Sequence, residues 1–109
     1  MRLRTIALYA PAAAALLALA VPTGTAQAAT GNFFYHQQPG DIERVLTNPG
    51  DNACFQLGNG GGPISNQTDR VASVYFSNNC TGGVFGFFNP GDNGSLPEYH
   101  SVKFTEFPP

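Results

Sequence analysis

Asn48-Pro49-Gly50-Asp51-Asn52 returns, letter for letter, as Asn89-Pro90-Gly91-Asp92-Asn93. The two copies lie 41 residues apart. The same offset sets Phe33-Phe34-Tyr35 over Val74-Tyr75-Phe76. A turn-forming pentapeptide and a β-favouring aromatic triplet thus recur in one order and at one spacing. A period of about 40 residues marks a duplicated supersecondary unit. In each copy Pro presets φ at the first corner and Gly accepts a positive φ at the second. Each is therefore expected to form a type II turn, with Asp51 and Asp92 as turn formers.

Between these turns the chain reads as all-β. Gly, Pro and Asn recur every 8–12 residues, and the segments between them alternate or run apolar. Strands are expected at Asn32–Gln37, Ile42–Thr47, Ala53–Leu57, Arg70–Phe76, Gly83–Phe88 and Tyr99–Phe104. In the last, Tyr99, Ser101 and Lys103 share one face, with His100, Val102 and Phe104 opposite. Both faces of Arg70–Phe76 carry apolar groups, so the pattern leaves its inward face open. Gly58-Asn59-Gly60-Gly61-Gly62-Pro63 reads as a flexible loop dividing two similar halves, Gly31 to Pro63 and Ile64 to Phe107.

Residues 1–29 read as a secretory leader. Arg2 and Arg4 form a short basic region, Ile6 to Val21 is apolar, and Ala26-Gln27-Ala28 is a small-x-small cleavage site. Cleavage would leave Ala29 or Thr30 first. Pro11 interrupts the apolar run and no basic cluster follows it, which disfavours a membrane anchor. Residues 30–109 then form one small domain, whose core alone is marginal at this size. The only two cysteines, Cys54 and Cys80, follow the leader. In an exported chain such a pair is expected as a disulfide, giving about 3–4 kcal/mol in the chain-entropy model.

After the leader, Arg44, Arg70 and Lys103 face seven carboxylates, for a net charge of minus four. No basic cluster is present, so nucleic acid and anionic membranes are disfavoured as partners. The balance suits a cation or a basic protein. No catalytic constellation emerges. His36 and His100 lack metal-ligand spacing, and His100 and Ser101 adjoin on a strand and so point apart. Asp41 and Glu43 read as a solvated edge strand. The glycine-rich stretch lacks the Lys-Ser/Thr of a phosphate cradle. Asn66-Gln67-Thr68, Asn79-Cys80-Thr81 and Asn93-Gly94-Ser95 are formal glycosylation sequons.

Tyr75-Phe76-Ser77-Asn78-Asn79-Cys80-Thr81-Gly82 resembles the signature of the βγ-crystallin Greek key: an aromatic, four residues, an aromatic, one residue, then Gly. Ser101-Val102-Lys103-Phe104 resembles its closing strand. Cys80 stands in the place of the second aromatic. In the first half Pro39 and Asp41 stand where an aromatic and Gly belong. The resemblance, which runs from Gly31 to Phe107, implies a Greek-key sandwich of two similar halves, of the kind found in secreted actinobacterial proteins. In one branch it implies an inhibitor of extracellular metalloproteinases, in another a killer-toxin-like protein; with no catalytic constellation in the chain, a non-enzymatic monomer is expected. It also raises a structural, calcium-binding role. Within the family's ligand pattern, Thr68 to Ser73 supplies Asp69 and Ser73 as candidate metal ligands, and Leu96 to Ser101 supplies only Ser101. For an inhibitor, the stretch Gly58 to Pro63 or the turn Asn89 to Asn93 is the expected contact loop.

Overall fold

The computed structural model describes residues 28–108. The expected leader lies outside these residues except for Ala28 and Ala29. Six strands form one antiparallel sheet: β1 (Gly31–Gln37), β2 (Ile42–Thr47), β3 (Cys54–Thr68), β4 (Val71–Tyr75), β5 (Val84–Phe88) and β6 (Asn93–Thr105). Their order across the sheet is β2-β1-β3-β6-β4-β5. Each half is thus a hairpin followed by a longer strand, and the two long strands pair at the centre. The 41-residue offset maps Asp41 onto Gly82, and both have positive φ, 53° and 78°. The strand order and this shared backbone conformation repeat between the halves, but the boundary expected between Pro63 and Ile64 falls inside β3, which runs on to Thr68.

The core follows from alternation along the strands. Phe33 and Tyr35 of β1, Ala72 and Val74 of β4, and Val102 and Phe104 of β6 are buried together with Leu57, Ile64, Phe88 and Tyr99. The sheet curls about them, so that Phe33 meets Phe104 edge-on at 5.2 Å between ring centroids. The undecided faces of β4 prove to be covered on both sides, since every residue from Val71 to Tyr75 is buried. Ser73 and Tyr75 pair across β4–β6 with Lys103 and Ser101, and Lys103 pairs in turn with Cys54. On that side the Cys54–Cys80 disulfide, with Cα atoms 5.9 Å apart, draws the segment after β4 against the sheet. Ser101 Oγ donates to Ser77 O at 2.6 Å and accepts the Cys80 N–H at 2.9 Å. The bridge is compatible with an extracellular location.

The expected loop at Gly58 to Pro63 is not a loop. It lies in the middle of β3, with Gly60 and Gly61 buried. Composition suggested a mobile connector because glycine offers no side chain to pack. Neighbouring strands supply what is missing. The register shifts on both sides of this run, between Phe34 and Gln37 of β1 and between Gln56 and Gly62 of β3. Ladder bonding falters there, and side chains take the carbonyls instead. Gln37 Nε2 donates to Leu57 O at 2.9 Å and Gln38 Nε2 to Gly61 O at 2.9 Å. His100 Nδ1 lies 2.7 Å from Gly58 O and His36 Nδ1 lies 2.9 Å from Pro63 O.

Tyr99 completes the set. Its ring occupies the space a Cβ on Gly60 would need. Its hydroxyl accepts the His36 N–H at 3.2 Å and lies 3.4 Å from the carbonyls of His36 and Gly62. Burial pushes its pKa above the ordinary tyrosine value. The same register shift turns Tyr99 into the core alongside Val102 and Phe104, which strict alternation had placed on the opposite face.

The repeated turns are not alike. In the second copy Gly91 has φ 89° and Asp92 N–H donates to Asn89 O at 2.9 Å, the expected type II closure. In the first copy Asn48 and Asn52 have positive φ and Gly50 does not. The chain preceding β1 docks here: Ala28 bridges Gly50, Ala29 N–H donates to Pro49 O at 2.8 Å, and Ala29 is buried. Asn48 Oδ1 accepts the Gly31 N–H at 2.8 Å. The identical pentapeptide takes another form because an extra segment pairs with it.

Gly60→Ala places a methyl group into the Tyr99 ring and 2.6 Å from Tyr99 O, a backbone atom that cannot step aside. The expected cost is about 3 kcal/mol or more, read as a fall in Tm of about 10 °C or more. Gly83→Ala, where nothing lies within 4 Å, is the control and should shift Tm little.

Candidate functional site

With Phe33 and Tyr35 turned into the core, alternation sends Phe34 and His36 to the other face of β1. Glu43 stands opposite His36 across β1–β2. Ser65 stands opposite Phe34, and Asn93 opposite Ser65. With Pro63, these residues line an open cleft of about 240 Å³. Its lining combines an aromatic ring and a proline with one carboxylate. A carbonyl can only accept, so the contact with Pro63 O places a proton on His36 Nδ1. The cleft is smaller than the roughly 300–1,000 Å³ typical of pockets that enclose a small-molecule ligand. It matches one side chain of a partner better than a whole substrate. The exposed turn Asn89 to Asn93 ends at its rim.

A second surface lies at the far edge of the sheet. Phe76, Phe85 and Phe87 are 55%, 44% and 67% exposed, well beyond what a core role would leave in solvent. Phe76 meets Phe85 edge-on at 6.2 Å and His100 edge-on at 5.8 Å. His100 Nε2 lies 2.8 Å from Glu98 Oε2 while its Nδ1 faces Gly58 O. Both neighbours are acceptors, so both bonds form only with the imidazolium. The Glu98 carboxylate first, and the Gly58 carbonyl second, raise the His100 pKa above its ordinary value.

The residues singled out from sequence are placed as follows. Asp69, just after β3, accepts the Thr30 N–H at 2.8 Å and lies 3.1 Å from Arg70 Nη1. The Thr30 hydrogen bond, helped by the guanidinium, holds its carboxyl below the usual carboxylate range. Ser73 is buried in β4. The two candidate ligands thus sit in different settings, and a guanidinium already stands beside the carboxylate. Among the described residues no three His, Cys, Asp or Glu gather in one cluster. Ser101 and His100 bond to different partners, as above, and not to each other. Asp41 lies in the turn before β2, where its carboxylate accepts from Gln38 Nε2 at 3.2 Å. Glu43 is on the outermost strand, the edge position expected of it.

Three residues escaped the sequence reading. Asn66 read as a sequon but is wholly buried. Its Nδ2 donates to Arg70 O at 2.8 Å and Phe88 O at 2.7 Å, and its Oδ1 accepts from Thr68 Oγ1 at 2.7 Å. Arg70 ties the N-terminal segment down, with Nε 3.0 Å from Asp51 Oδ1 and Nη2 3.4 Å from Ala28 O. Asp51 is therefore an ion-pair partner as well as a turn residue. Tyr99 carried no local signal, because its partners lie 37 and 63 residues away in the chain. No protein-family model, curated protein or solved structure matches the chain.

The His100 contacts predict a pH dependence. A raised folded pKa means that the stabilisation is complete below the ordinary value of 6.5 and is lost as pH rises through the folded value. His100 should titrate above 6.5 by NMR, and Glu98→Gln should lower that midpoint. Titration of the wild-type ring at or below 6.5 would show that the Glu98 contact is absent in solution.

Proposed function

We propose that this chain is a secreted, non-enzymatic binding protein of the βγ-crystallin-like kind, acting on another protein outside the cell. The cleft beside the Asn89 to Asn93 turn carries the proposal. Its volume suits one anchoring side chain. Phe34 and Pro63 would hold an apolar stem, and Glu43 would receive a cationic or hydrogen-bonding head. A lysine or arginine has that form, and a basic partner complements the net charge of minus four. The resemblance of Tyr75 to Gly82 to the crystallin hairpin puts an extracellular metalloproteinase first among partner classes. The positive φ shared by Asp41 and Gly82 supports that hairpin in both halves.

The contact element in this proposal is the Asn89 to Asn93 turn and not the glycine run, which is enclosed within β3. Ordered by its own Asp92–Asn89 bonds, at 2.8 and 2.9 Å, the turn loses little freedom on binding.

The test is inhibition of thermolysin-like proteases, together with affinity capture from culture medium. Inhibition at micromolar concentration or below is expected. Phe34→Ala and Glu43→Gln should each weaken it about tenfold, the usual cost of losing an anchor contact. No inhibition at any concentration up to about 100 µM, with no captured protein sensitive to these substitutions, would remove the proposal.

A further inference from the structure

The expected cleavage bond, Ala28–Ala29, lies at the start of the described residues, and the residue after it is already built into the fold. Ala29 is 1% exposed, and its N–H donates to Pro49 O at 2.8 Å. Thr30 N–H donates to Asp69 Oδ1 at 2.8 Å, and Asp69 N–H donates to Thr30 O at 3.1 Å. Arg70 stands beside the bond itself, with Nη2 3.4 Å from Ala28 O. Around that guanidinium the charges do not balance. Asp51 lies 3.0 Å and Asp69 3.1 Å from its nitrogens, and Glu106 also attracts it. Three carboxylates therefore share one cation. A peptide oxygen lies about 2.3 Å from the nitrogen of its own bond, so Ala29 N is within about 6 Å of Arg70 Nη2. Successive backbone nitrogens are at most about 3.7 Å apart, so Ala29 N is within about 7 Å of Asp69 Oδ1.

We infer that cleavage at Ala28–Ala29 installs a structural cation: the new α-ammonium of Ala29 stays on Pro49 O and supplies charge to the cluster of Asp51, Asp69 and Glu106. The inference rests on the reading of this chain as secreted. Water is the co-reactant. The C–N bond breaks, the Ala28 carbonyl carbon takes the water oxygen and leaves as a carboxylate, and the protons go to Ala29 N. An ammonium has three donors where the amide had one, so the Pro49 bond is kept and two donors are added. The guanidinium loses Ala28 O and meets a like charge. Three carboxylates against two cations still leave the group net negative, so the new charge is attracted on balance. Cleavage one residue later, leaving Thr30 first, would discard the buried Ala29 methyl and the Pro49 bond together. The uncut chain carries no charge at this nitrogen. It is the less stable form, which suits a chain that must cross a membrane before it folds.

Calorimetry of the disulfide-bonded chain that begins at Ala29 tests the inference, with its α-amine free or acetylated. The acetyl group restores the carbonyl of Ala28, so Arg70 keeps its acceptor and the charge is what differs. The free amine should melt about 2–5 °C higher at about pH 6. Carboxylates raise the pKa of an ammonium. The gain is therefore complete below the ordinary value of about 7.7–8.0 and is lost as pH rises through the folded value, by about pH 10. Asp69→Asn keeps an oxygen for the Thr30 N–H and should shrink the gain. N-terminal sequencing of the exported protein should give Ala29 first. An acetylated form as stable as the free amine overturns the inference. So does a gain that persists at about pH 10, a gain indifferent to Asp69→Asn, or export with any other first residue. A chain that is never exported removes the secreted reading as well, a result distinct from all of these.

Discussion

The fold depends on how the carbonyls of one glycine-rich stretch are held. From Leu57 to Pro63, five carbonyls are approached by side chains from β1, the turn after it and β6: Gln37, His100, Gln38, Tyr99 and His36. Four glycines in a strand cost about 2–4 kcal/mol in chain entropy. Four hydrogen bonds at about 1 kcal/mol each, with the single Tyr99 hydroxyl proton shared between Gly62 O and His36 O, offset this. The run is therefore held in register without side chains of its own. Without Cβ atoms it also leaves room for the Tyr99 ring, which seals the core between the two halves. Both histidines and the most buried tyrosine are committed to this single segment.

From that centre the order of the structure runs outward in both directions. On one side, Tyr99 and His36 fix β1, which carries Phe34 and His36 to the cleft. On the other, β6 supports β4, and the disulfide with Ser101 holds the segment after β4 against the sheet. The two candidate surfaces therefore stand on a shared frame but at different places in the strand order.

Much of this architecture was legible in the chain. Ile42–Thr47 was found at its observed limits, and Asn32–Gln37, Arg70–Phe76 and Gly83–Phe88 were each found to within one residue at either end, because turn residues and alternation are local signals. β3 and β6 were too short in that reading. Their extensions run through Gly58–Pro63 and Asn93–Glu98, where composition favours loops and only pairing partners distant in sequence make strand. The doubled pentapeptide announced two halves, yet it could not announce that Ala28 and Ala29 would pair with the first copy and change its form. Asn66 looked like a glycosylation acceptor because a tripeptide carries no information about burial. For the site, Asp69 was picked as a ligand by pattern, while the Thr30 and Arg70 contacts that engage it arise from tertiary structure. The cleft joins residues of four strands and had no signature in any one of them.

Amide hydrogen exchange across Gly58 to Gly62 tests the central claim most directly. A glycine run enclosed in β3 and capped by Tyr99 predicts that its buried amides, Gly60 and Gly61, exchange far more slowly than those of an open loop. Exchange at the rate of an open loop, in a chain whose β4 amides remain protected, would contradict the account.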